Sequence, residues 1–434
     1  MYAVRPAWLL LPLLLAEMAL AQVPLAEVGK LARARAERSR PAQQKALEPF
    51  WADLALPYQV NQQVLDTRIA EVAALGDSVV PLLLEKLQPT QGGDTSRHLA
   101  GNCRRVLERL DPGSFLDALV ELANGSSDVA RNEAIRLLGV AQVPQAVTVL
   151  VDLLDRTSGE DKRLVVRSLR LQKAATAAPK IVTMLASNDR GVREDVLTYL
   201  IAAHPPQVAD TVVQALATEK DNKLLPAYVE YFAAAVKGHD GVARAILPLL
   251  ERDRLDYLDT RRLLQVLATV APSGHEPTIR RLHELLDGDD TSSLAVQAAV
   301  TMRTLGDKQG VTKLKRTLDE QLRKPKRRTE AALFEQRANL LFAIEEYGEA
   351  FDDYEKALEF QDGMAMTRRA FIGQMKCEAR RKKYTNLTKL MKQSGLTVAE
   401  IEAIGQDDPS FHETLQHDKV RPFLINLAKE QAPR

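Results

Sequence analysis

The chain has 434 residues, more than one ordinary globular core accommodates and enough for two or three domains or one elongated array. Hydrophobic residues make up 45% but aromatics only 5%, a balance suited to thin seams between stacked helices rather than to a ring-filled core. Lys+Arg 59 against Asp+Glu 58 leaves a net charge of +1, which excludes a global field that draws the chain to nucleic acid or a membrane surface.

The chain opens with the features of a secretory signal peptide over residues 1–21. Arg5 supplies a positive start, "AWLLLPLLLA" is a short apolar run broken by Pro12, and Ala19 and Ala21 are the small residues a signal peptidase reads. Cleavage is expected between Ala21 and Gln22. The run is shorter than the roughly 20 residues of a membrane helix, and no Cys follows that would mark a lipoprotein. The mature chain is therefore expected to be periplasmic or secreted, with no transmembrane segment. Residues 22–60 read as an N-terminal helical cap built on "LAEVGKLARARAERS" and "AQQKALEPFWADLAL".

From residue 61 to 323 one pattern repeats with changing letters. Comparable apolar positions fall at Leu82, Leu116, Val147, Ile181, Val212, Ile246, Ile279 and Val311, successive steps of 34, 31, 34, 31, 34, 33 and 32. A period near 33 carried through eight copies is the mark of a solenoid, in which each unit buries its apolar face only against its neighbours. Within "DVARNEAIRLLGVAQVPQAVTVLVDLL", Asp128 to Leu154, two apolar stripes at helical spacing read as a hairpin hinged near Gly139. Each second run has an earlier partner, such as "DKRLVVRSLRL" or "DTRRLLQVLATV", and most partners open with Asp, Ser or Thr, the residues that cap a helix start. The units at Asn222 and Asp259 diverge most.

"DVARNEAIRLLG" and "GVREDVLTYL" resemble the short bacterial HEAT repeats, with a polar start, Val and Arg one turn in, and a Leu-Gly close. The resemblance implies an all-α solenoid of about eight helical hairpins. Short HEAT repeats also occur in the phycobiliprotein lyases, but those act in the cytoplasm, whereas this chain carries an export signal.

At "LRKPKRR" Pro325 interrupts the helix, and residues 324–329 read as a basic hinge. Lys313, Lys315, Arg316, Arg323, Lys324, Lys326, Arg327 and Arg328 face only Asp319 and Glu320 between Val311 and Arg328, so the run carries 8 − 2 = +6. Residues 330–434 follow a second pattern. In "ALFEQRANLLFAIEEYGEAFDDYEKALEF" Phe334, Ala338, Leu341, Tyr347, Ala350, Tyr354 and Ala357 stand at the spacings of a tetratricopeptide repeat, which the segment resembles, although Arg337 occupies a position where that family prefers an apolar residue. A weaker copy, "RRAFIGQMKCEARRKKYTNLTKLMKQSG", follows, and Phe411, Leu415 and Phe423 read as a closing cap. The resemblance implies groove-facing positions at Ala332, Glu335, Asn339 and Phe342. The family's carboxylate clamp sets a Lys and an Asn there. Glu335 at the Lys position would repel a carboxylate, while Asn339 can still bond a peptide backbone.

Catalytic patterns are absent from the sequence. No His pair stands at i, i+4, and G-x-S-x-G, P-loop and GxGxxG patterns are missing. Cys103 and Cys377, the only cysteines, read as buried unpaired thiols. Asp289-Asp290 and Asp407-Asp408 read as capping residues, and the N-x-S/T matches at Asn124 and Asn386 as chance. The expectation is a protein with no catalytic, cofactor or metal site: a scaffold of the cell envelope that binds extended protein partners on the concave solenoid surface. An apolar spacing pattern specifies neither the partner nor the oligomeric state. The alternative is charge-driven binding of an anionic polymer or membrane surface through residues 313–328. No aromatics interleave these cations, so single-stranded nucleic acid finds no stacking platform.

Overall fold

The computed structural model describes residues 40–88, 93–251, 255–287, 290–327, 329–360 and 363–431. Residues 1–21, read as a leader, the start of the cap, Arg328 and Asp289 lie outside them. The described residues are α-helices, short 3-10 turns and connections, with no strand among them. The chain is all-α, and it forms two compact units that divide between Ala203 and His204.

In the first unit the helices pair as hairpins and pack neighbour to neighbour. The first helices are Gln62–Ala73, Asp94–Arg109, Asp128–Val140, Gly159–Leu171 and Arg190–Ala203. Their partners include Val80–Lys86, Leu116–Ala123 and Pro144–Arg156. The hairpin turns at residues 141–143, just past Gly139. That glycine lies inside Asp128–Val140 and is buried. A Cβ on Gly139 would stand 2.9 Å from the Cα of Ser168, so the residue is small because the next hairpin's helix passes over it.

Helix starts follow the expected chemistry in part. Ser127 and, in the second unit, Asp256 and Ser292 accept the amide N–H groups of Ala130, Asp259 and Ala295. The helices opening at Asp94 and Gly159 have no side-chain cap. Pro81, Pro144, Pro206 and Pro277 start second helices or the turns leading into them, where a missing N–H and a fixed φ cost nothing.

Two polar devices fix how neighbouring hairpins register. A side chain of a first helix, or of the residue just after it, donates to a backbone carbonyl of the preceding hairpin. Asn102 reaches Leu54 and Leu56 (2.8 and 2.9 Å), Gln172 reaches Leu138 (2.8 Å) and Tyr199 reaches Ala174 (2.5 Å). In the second unit Tyr231 bonds Pro205 (2.7 Å) and Thr301 bonds Leu264 (2.8 Å). Leu138 lies in the last turn of its helix, so Gln172 satisfies a carbonyl that burial would otherwise leave unpaired. The second device is a ladder in the first unit. Arg104 pairs with Glu133 (2.5 Å), Arg131 with Asp161 (3.2 Å), and Arg163 and Arg167 with Asp195 (2.7 and 2.9 Å). The Arg one turn into Asp128–Val140 and into Gly159–Leu171 is thus a reach to the next hairpin.

In the second unit the helices run from Ala209–Thr218 to Arg421–Gln431. One apolar cluster joins Leu264, Leu282, Leu314 and Leu318 to Leu333 and Leu340, so the core is continuous on both sides of residues 324–329. Arg337 explains its own departure from the apolar pattern. Its guanidinium bonds Asp353 (2.7 Å) and Asp319 (2.6 Å), which ties Ala331–Ala343 to Gln309–Arg323. The Asp353 hydrogen bonds hold Arg337 charged well above its ordinary range. Further on, a Cβ at Gly373 would fall 2.4 Å from the Tyr354 ring, so only glycine lets Met364–Arg380 close over that tyrosine. Phe411 and Leu415 are buried in the terminal cluster and Phe423 packs half-buried against it.

Candidate functional site

Four first helices of the second unit, Tyr257–Val270, Ser293–Thr304, Ala331–Ala343 and Met364–Arg380, stack in series. Side chains three and four apart project from one face of each helix, and together they line a cleft of about 560 Å³. Tyr257 and Arg261 come from the first helix, Gln297 from the second, Glu335, Gln336 and Asn339 from the third, and Arg369 from the fourth. Tyr257 is 49% exposed and its neighbour Leu258 69%, which leaves a large apolar edge at one end of the cleft.

The lining is polar and largely organised. Glu335 is only 5% exposed, and both its oxygens accept from the Arg369 guanidinium (2.6 and 3.0 Å). That bidentate pair raises the Arg369 pKa. Asn339 Oδ1 accepts from the Tyr354 hydroxyl (2.7 Å), and Nδ2 is without a partner among the described residues. Burial, first of all, raises the Tyr354 phenol above its ordinary range and keeps it a donor. Gln297 Oε1 accepts a long bond from Gln265 (3.4 Å). Gln336 Oε1 is buried with no hydrogen-bond partner among the described residues. Arg261 is exposed and has no ion-pair partner among them.

The structure brings Glu335 and Asn339 together on this lining, whereas Phe342 points elsewhere. Its ring meets Tyr347 edge-on at 5.3 Å and lies 5.9 Å from the Arg380 guanidinium. Tyr257, Arg261, Gln297, Gln336 and Arg369 do not stand out in the sequence. The signal for Tyr257 was within reach: Asp256 caps a helix that begins at Tyr257, two residues before the "DTRRLL" start read from the letters.

Three cations of the basic segment meet acids from outside it. Lys313 pairs with Asp287, Lys315 lies 3.0 Å from Glu346 and 3.4 Å from Glu349, and Arg327 holds Glu330 (2.8 Å) and Gln321 (2.7 Å). Arg316 faces Glu320 at 3.7 Å. Those bonds from Arg327 lower the Glu330 pKa. Arg323, Lys324 and Lys326 are exposed at the helix end and in the turn after it. The +6 of the sequence is therefore reduced in part, and Arg328 lies outside the described residues.

Two of the histidines are held by acids. His275, 6% exposed, contacts Asp240 (3.0 Å) and Thr278 (2.8 Å), and His283 contacts Asp307 (2.6 Å). Cys103 and Cys377 are buried and unpaired, and burial pushes each thiol up to about 12.

No family model matches this chain. No curated protein matches it either. Among solved structures it is similar to a crystal structure of an engineered protein, at 17% identity and a TM-score of 0.37, over 80% of this chain and 98% of that one. Among the described residues no helix is long and apolar enough to cross a membrane.

Proposed function

We propose that the chain is a non-enzymatic protein-binding scaffold of the cell envelope, built from short HEAT-like hairpins followed by tetratricopeptide-like ones. The observation that carries the reading is the cleft itself. Consecutive first helices line one continuous surface, the geometry by which stacked hairpins take extended partners. Its one carboxylate is locked to Arg369 rather than poised as a base, and the rest of its polar lining is carboxamide, hydroxyl and guanidinium. The envelope assignment rests on the leader at residues 1–21, and N-terminal sequencing of the exported chain should begin at Gln22.

The test places a photo-crosslinking amino acid at Val300, which lines the cleft, and separately at Lys326 in the basic segment. The scaffold reading expects protein adducts at Val300 that persist at high salt. Adducts only at Lys326, lost as salt rises, would move the working surface to the basic segment.

A further inference from the structure

We propose that this cleft takes an extended acidic peptide. Gln297, Gln336 and Asn339 hold its backbone, and Arg261 takes one of its carboxylates. The proposal rests on the scaffold reading and deepens it by naming the chemistry of the partner.

The polar groups along the middle of the cleft are carboxamides, and a carboxamide offers a donor and an acceptor, the complement of a peptide unit. Two of them keep unused capacity. Asn339 gives only its Oδ1 to Tyr354, which leaves Nδ2 to donate to a peptide carbonyl. Gln336 Oε1 is a buried acceptor without a donor among the described residues, and a peptide N–H supplies one when the carboxamide turns into the cleft. Charge selects the side chains. Arg261 and Arg369 against Glu335 give the lining 2 − 1 = +1, and Glu335 is already bound to Arg369. The uncompensated charge therefore resides on Arg261, at the end where Tyr257 adds an exposed ring.

Spacing fixes the length of the segment. Packed helices lie about 8–10 Å apart and an extended chain rises about 3.3 Å per residue, so each helix is met roughly every third residue. Four helices then correspond to about nine residues, with the acidic side chain about six residues from the pair Gln336 and Asn339.

The test uses the full chain and fluorescent twelve-residue peptides of Gly, Ser, Thr and Val that carry two Glu, two Gln or two Lys at the same positions, read by anisotropy. The Glu peptide should bind roughly fivefold more tightly than the Gln peptide, the range of a partly exposed ion pair. Arg261→Glu should reverse the order and favour Lys. Gln297→Ala and Gln336→Leu should weaken the Glu and Gln peptides by the same factor, with circular dichroism confirming that each variant is folded. An order unchanged by Arg261→Glu would overturn the proposal. Polyphosphate that displaces the Glu peptide, with binding indifferent to Gln336→Leu, would also overturn it by making the cleft a plain anion site. Adducts at Val300 without any preference among the peptides would sink this inference and leave the scaffold reading standing. Neither adducts nor peptide binding would sink both.

Discussion

The hairpins from Asp94 to Ala203 and those from Tyr257 to Arg380 share one architecture, yet they treat the face of their first helices in opposite ways. In the earlier set, Arg104, Arg131 and Arg163 each reach forward to an acid on the next hairpin, so the cations are consumed by the stack. In the later set, Arg369 is held by Glu335 while Arg261 has no acid partner among the described residues, and the face opens into a cleft. A stacked hairpin can thus use a polar first helix either to register its neighbour or to receive a ligand. The choice depends on whether the following helix places a carboxylate opposite the arginine.

The comparison can be broken most forcefully at the core the later hairpins share. Leu340→Ala should cost about 2–5 kcal/mol, the range for deleting a buried leucine side chain. Hydrogen exchange should then quicken in Ser293–Thr304 as well as in Tyr347–Phe360, because Leu340 belongs to the cluster that includes Ala298 and Leu318. Faster exchange confined to residues after 330 would mean that the basic segment separates two independent cores.

Close helix approach gives a smaller effect. Gly373→Ala should cost about 1–3 kcal/mol in thermal or urea unfolding, since the added Cβ meets the ring of the buried Tyr354. Gly139→Ala meets the backbone of Ser168 and should also destabilise, against the roughly 1 kcal/mol that alanine gains in a helix. Equal or higher stability in either variant would show that the seam yields.

The ladder is weaker still. Arg163→Ala should cost about 1 kcal/mol or less, because the pair with Asp195 is only partly shielded from water. The Asp195→Asn variant should lose a similar amount, and the double variant less than the sum. Strict additivity would show that the two side chains do not interact.

The smallest change near neutrality concerns the thiols. Folding raises each from about 9 to about 12. Below about 9 both states keep the proton and stability does not respond. Between about 9 and about 12 the unfolded chain releases protons that the folded chain retains, so stability falls as pH rises. The Cys103→Ala, Cys377→Ala double variant should lose that alkaline slope. In the parent chain, iodoacetamide at pH 8 should label both positions only at the rate of unfolding.

Much of the architecture was legible because helical periodicity is local. The eight apolar positions at a period near 33 each fall in a second helix, or in the 3-10 turns that lead into or continue one, from Leu82 in Val80–Lys86 to Val311 in Gln309–Arg323. The letters fell short where a residue's role depends on a neighbour a repeat away. Gly139 stands just before the turn, as its letter suggests, but is small because the backbone of Ser168 passes over it. Lys313 and Lys315 read as part of a free cationic run, yet Asp287, Glu346 and Glu349 from other hairpins stand beside them.

By itself the sequence determined that this protein is all-helical, that it repeats, and where most hairpins begin and end. Apolar spacing, caps and prolines act within a turn or two of the chain. Only the tertiary structure decided which arginines are paired, that the core continues past Pro325, and that Tyr257, Arg261, Gln297, Gln336, Asn339 and Arg369 share one cleft. Those outcomes depend largely on side chains from different helices, and nothing in a local pattern states which of them meet.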